Sequence, residues 1–177
     1  MKKIIIYILL ILVFLIIYFL QSNFFSWFTI YGIMPNLFVI YVLFIGLFAG
    51  QIPGAVLGML FGVLLDIFIG EKIGISGILL GIVGFASSRL DKNFSKDSKL
   101  TIMLMCIGAT LFYESADYFI SVFIYKMDIE IIALIKILLI ESIYNSILII
   151  ILYPLMQKVG YRIEETFKGS NILTRYF

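Results

Sequence analysis

The chain has 177 residues, 63% of them hydrophobic and 14% charged, with a formal net charge of +2 and a mean hydropathy of +1.14. That composition excludes a soluble globular domain, which could not hide so much apolar surface, and leaves no room for a separate soluble domain. With no histidine and a single Cys106 set in an apolar run as a small hydrophobe, no metal, redox or cofactor chemistry is expected.

A membrane helix needs roughly 17–25 apolar residues. Six apolar segments appear in chain order, at 4–20, 37–49, 54–69, 73–87, 100–125 and 131–153. The expected fold is an all-α integral membrane protein, a compact bundle of six transmembrane helices in one domain. The first segment has a basic start, Lys2 and Lys3, but the following "YFLQSNFFSW" offers no small-residue cleavage site, so it reads as an uncleaved anchor. Residues 24–34 carry Phe24, Phe25, Trp27, Phe28 and Tyr31, an aromatic belt for the outer interface. The second, third and fourth segments are short. A four-span arrangement, with the second and third re-entrant as a pair, stays open beside the six-span one.

Glycine recurs every fourth position at 46, 50, 54, 58, 62, 70 and 74, and Asp66 takes the remaining rung. Pro53 is expected to break this ladder at a turn. Residues four apart share a helix face. The fourth segment carries Gly74, Gly77, Gly81 and Gly84 at spacings of three and four. Lipid supplies no hydrophobic drive for helix association, so close backbone approach substitutes for it. Gly50, Gly54, Gly58, Gly62, Gly70, Gly74 and Gly77 are therefore candidate packing residues, against each other or against a partner. Asp66 has two candidate roles: to satisfy backbone donors at the "IGEKIG" turn, or to meet Lys136 across the bundle.

The basic residues test the span count. Lys2, Lys3, Arg89, Lys92, Lys96, Lys99, Lys158, Arg162, Lys168 and Arg175 all fall on one side of a six-span chain. Cytoplasmic excess of Lys and Arg then sets both termini inside, with a loop at 88–99 and a tail at 156–177 in the cytoplasm of a multi-pass inner-membrane protein. Both segments suit anionic headgroups or a cytoplasmic partner. Glu114, Asp117, Lys136 and Glu141 are intramembrane polar candidates, since charges there face the bundle interior and pair. Counted from the helix ends, Asp66, Asp117 and Lys136 fall in the outer half, and Glu114 and Glu141 near the midplane. Lys136 is expected to neutralise Asp117, Asp66 or both, and two carboxyls at one depth can share a proton.

Enzyme chemistry finds no support. "GISG" at 74–77 matches the serine motif of rhomboid proteases, but the histidine base is missing. No phosphate-binding loop or carboxylate cage is present, and nothing points to nucleic acid.

The stretch "MPNLFVIYVLFIGLFAG", in which Pro35-Asn36 opens an apolar helix, and "GAVLGMLFGVLLDIFIGEKIGISGILL" together resemble the MreD family of rod shape-determining membrane proteins. Gly58, Gly62, Asp66, Gly70 and Gly74 match that family's glycine–aspartate core, and "LYPLMQKV" also fits. The resemblance implies a noncatalytic subunit of the cell-elongation machinery. It would bind MreC directly and, through the complex, link MreB to peptidoglycan synthesis by RodA and a class B penicillin-binding protein. It also implies a fold similar to the substrate-binding S component of energy-coupling-factor vitamin transporters. A transporter subunit with polar anchors at Asp66, Asp117 and Lys136 is therefore the alternative. A homodimer is left open.

Overall fold

The computed structural model describes residues 2–70, 73–91 and 96–168. Every regular element among them is a helix: α1 Lys2–Phe19, α2 Leu37–Ala49, α3 Gln51–Ile69, α4 Ile75–Asp91, α5 Lys99–Tyr125 and α6 Ile131–Lys168. Four apolar stretches (Lys3–Trp27, which continues α1, and α3, α5 and α6) are long enough to cross a membrane, while α2 and α4 are shorter apolar helices. The chain is thus a helical membrane protein. Lys72, Lys92, Arg175 and the rest of the tail after residue 168 lie outside the described residues.

α2 is the hub. Its sequence is apolar all round, which in a helix means burial on every side, and all thirteen residues are buried. Its Asn36 cap accepts a hydrogen bond from the Val39 N–H at 3.2 Å. α1 touches it through Leu10, whose carbonyl accepts from the Tyr41 hydroxyl at 2.6 Å, and through Phe14, whose ring meets Phe38; the same Phe14 ring stacks on Phe61 of α3. α1 otherwise turns a largely exposed apolar surface outward.

The glycine ladder closes α3 onto α4 and α2. A Cβ on Gly58 would lie 2.5 Å from the Leu80 carbonyl oxygen, and one on Gly54 would lie 2.7 Å from both the Gly46 Cα and the Gly84 oxygen. The helix backbones touch there, so no side chain fits. Pro53 does not break the ladder. The chain turns one step earlier, at Gly50 (φ 104°), and Pro53 sits in the first turn of α3, where its missing N–H costs nothing.

α5 keeps its expected bounds and α6 overruns its own. α5 and α6 are about 40 and 57 Å long, against about 28 Å for α3, at 1.5 Å per residue. The stretch expected as a cytoplasmic tail from 156 continues α6 to Lys168, with Pro154 inside the helix. Tyr7 near the start of α1 meets Phe167 near the end of α6, edge to face.

Candidate functional site

The polar residues of the apolar segments gather where α2 begins. Gln21 ends α1 in a π-helical turn and grips the chain on both sides of Asn36: its Nε2 donates to the Pro35 carbonyl at 2.7 Å, and its Oε1 accepts from the Leu37 N–H at 3.1 Å. The Asn36 N–H donates to Asn145 Oδ1 on α6 at 2.9 Å, and its Nδ2 donates to Glu114 Oε1 on α5 at 3.0 Å. Asn145 in turn donates to Thr110 Oγ1 at 2.9 Å. One short turn of chain thereby ties α1, α2, α5 and α6 together.

Glu141 is buried on α6, one helical turn before Asn145. Among the described residues, Glu141 Oε1 and Ser142 Oγ are buried without a hydrogen-bond partner.

Asp66 serves the α3–α4 turn. Its Oδ2 accepts from the Gly74 N–H at 2.7 Å and the Ser76 N–H at 3.1 Å. Gly70 ends α3 at φ 78° and Gly74 follows at φ 98°, the left-handed region that glycine occupies freely. The Ser76 hydroxyl receives the Tyr113 hydroxyl at 3.2 Å, which joins this turn to α5. Asp117 meets the Ser121 hydroxyl. Lys136, expected to face the bundle interior, is exposed on α6, and the Asp66 carboxylate is engaged by the α3–α4 turn.

The depths also differ from the expected ones. Glu114 touches the first residue before α2, and Tyr113 touches Ser76 at the start of α4. The Glu114–Glu141 level is thus the end of α2, α3 and α4, not their middle. Eleven residues of α5 still follow, about 17 Å of helix.

A second cluster lies at the opposite end. Lys96, expected in a solvated loop, is 4% exposed and pairs with Glu164 at 2.5 Å, with its ammonium 4.9 Å above the Phe48 ring. Asp97 accepts from Tyr153 at its carbonyl and from Tyr161 at its carboxylate. Burial first, and then the Asp97 carboxylate, push the Tyr161 phenol above its usual range. Gly160 lies flat on the Phe48 ring, which leaves no space for a Cβ.

Two grooves between the helices are apolar. One of about 480 Å³ lies between α4 and α5, lined by Ile82, Ala86, Leu104, Gly108 and Phe112 among others. Another of about 340 Å³ lies between α1 and α6 over Tyr41 and Phe44 of α2. Among the described residues no cluster of His, Cys, Asp and Glu could hold a metal ion.

The model of the family described as rod shape-determining protein MreD matches residues 1–161. The chain belongs to the MreD family. No curated protein and no solved structure matches it. As an MreD-family chain it is a rod shape-determining membrane protein, and its Pro35-Asn36 and Asp66 sites are the anchors of two turns.

Gln21 and Thr110 were not singled out by the sequence. The available signal was weak: a lone amide and a lone hydroxyl in apolar runs, where polar groups need partners.

Proposed function

We propose that this chain is a noncatalytic subunit of the bacterial cell-elongation complex, set in the inner membrane with six helices and both termini inside. It binds MreC and helps link MreB within the cell to the peptidoglycan synthases, RodA and its class B penicillin-binding protein, outside. One observation carries the reading beyond family membership. Asn36, Asn145, Glu114 and Asp66 are engaged with one another or with backbone groups that hold helix ends. Polar side chains used in this way build a framework, and the grooves between α4 and α5 and between α1 and α6 are apolar. A vitamin-binding subunit would instead present polar groups to a ligand pocket, so contact with partner proteins is the better reading.

The test is co-expression with full-length MreC and co-purification in detergent. A stable complex is expected. It should persist in any well-folded variant of the α3–α4 glycine face, because that face is already filled by α4. Failure of the wild-type chain to retain MreC would overturn the proposal.

A further inference from the structure

α1 and α6 stand on either side of α2 without closing over it. The groove of about 340 Å³ between them has Val13 and Ile17 on the α1 wall, Leu155 and Val159 on the α6 wall, and Tyr41 and Phe44 of α2 as its floor. Its length follows from one contact. Asn36, just before α2, meets Asn145 of α6, and Val159 lies about 21 Å further along that helix. The groove thus runs most of the way through a hydrocarbon core of about 30 Å.

Its size decides what can enter. One turn of α-helix, about 10 Å across and 5.4 Å high, fills about 420 Å³. The whole groove holds less than that. A helix, whether from a partner or from a second copy, cannot sink into it, whereas a single alkyl chain can. A spanning helix also could not run on past the basic end. There Tyr7 of α1 meets Phe167 of α6 with ring centroids 5.5 Å apart, and the two walls are bridged.

That same end carries cations on the rim. Lys158 and Arg162 follow Leu155 by three and seven residues, so all three share one face of α6, and all three are exposed. The face changes from apolar to basic within one turn, as a helix does where hydrocarbon gives way to headgroups. Lys3 is exposed on α1, one turn before Tyr7. The level is the end of α2, since the intervening Gly160 is pressed on Phe48. The exposed acidic neighbour, Glu165, sits about one turn beyond Arg162 and farther from the groove.

We propose that the α1–α6 groove is a binding site for an anionic phospholipid, with one acyl chain in the groove and the phosphate on Lys158, Arg162 and Lys3. The apolar slot and the basic rim are continuous, and a methylene chain joined to a phosphate has the same order of parts. Basic pockets between membrane helices hold anionic headgroups in this way. A free phosphate would leave the slot empty, and a zwitterionic headgroup would set its own cation against three others. The bound chain fills the gap between α1 and α6 and so fastens α1 to the bundle. The site does not depend on partner binding.

The test uses the full chain purified in detergent and offered equal amounts of dioleoylphosphatidylglycerol and dioleoylphosphatidylcholine, with retained lipid counted by native mass spectrometry. One phosphatidylglycerol per chain should be held in preference, and its addition should raise the thermal midpoint. Lys158→Ala with Arg162→Ala alters only exposed side chains and leaves the fold intact. It should lower phosphatidylglycerol retention roughly tenfold and abolish the rise in midpoint. Equal retention of the two lipids by the wild type, or undiminished phosphatidylglycerol on the double variant, would overturn the site. Val13→Trp fills the groove and should displace the lipid. Gly108→Leu, which projects into the α4–α5 groove where a Cβ meets nothing within 4 Å, should not. Retention unchanged by Val13→Trp would reduce the binding to surface attraction and overturn the acyl slot. A Val13→Trp chain that keeps the lipid but loses co-purified MreC, or loses a dimer, would give the groove to a helix and overturn the lipid.

Discussion

Asn36 donates its backbone N–H to the side-chain oxygen of Asn145, 109 positions later in the chain, at 2.9 Å. Asn145 is fully buried and passes the connection on to Thr110. The start of α2 is therefore held by side chains from two distant helices, in surroundings where water is scarce. Replacing Asn145 by Ala leaves the Asn36 N–H without its acceptor, at a cost of about 1–3 kcal/mol for a buried orphan group. A clear fall in the thermal midpoint of the purified protein is expected. An unchanged midpoint would show that the α2 cap does not depend on α6.

The glycines differ sharply in what surrounds them. A Cβ on Gly58 meets the Leu80 carbonyl oxygen at 2.5 Å and the Val42 Cγ1 at 3.0 Å, whereas one on Gly108 meets nothing within 4 Å. Gly58→Ala should force α3 and α4 apart and destabilise by about 1–3 kcal/mol. Gly108→Ala should be neutral or stabilising by up to about 1 kcal/mol, since a mid-helix glycine carries an entropic cost without a packing return. Thermal unfolding of the pair checks both, and equal effects would contradict the packing seen.

Much of the architecture was legible before the structure. The apolar segments and the four-residue ladder are local patterns, whereas the burial of α2 was not legible, since the equally apolar α1 is largely exposed. The depths of Glu114 and Glu141 were not legible. Counting from helix ends assumes that every helix starts at the same surface, and α5 and α6 overrun the others. The helical continuation through 156–168 was not read from the sequence, because its basic residues outweighed a helical face. Met156, Ile163 and Glu164 are buried, and Gly160 is pressed on Phe48. Their steps of four, three and one, which keep one helix face, were present in the sequence. The partner of Lys96 lies 68 positions away, which no local pattern reveals.

Lys96 and Glu164 form a buried pair at the basic end of the bundle. Lys96→Ala should remove about 3–5 kcal/mol, because it takes the paired cation away from a buried carboxylate rather than merely deleting a contact. The double replacement Lys96→Met and Glu164→Leu should recover most of that loss, since an apolar pair of similar size needs no charge compensation. Unfolding midpoints of the single and double variants decide the matter. A double variant as weak as the single one would show that the pair contributes more than mutual neutralisation.

Tyr161 makes this same end sensitive to alkali. Its phenol is hydrogen-bonded to Asp97, and burial together with that carboxylate raises its pKa above the ordinary tyrosine value of 10.0. The folded protein therefore holds the phenolic proton more tightly than the unfolded chain does. Stability from this group is complete below about pH 10, the unfolded value, and is lost as pH rises through the higher folded value. The sign follows because the native state is the one that binds more protons over that interval. Tyr161→Phe cannot ionise, so its stability should fall less steeply than the wild type's above pH 10. The variant should also be slightly weaker at neutral pH, where it lacks the bond to Asp97. Parallel slopes for the two proteins between pH 9 and 11 would remove Tyr161 from the alkaline response and assign it to the other tyrosines.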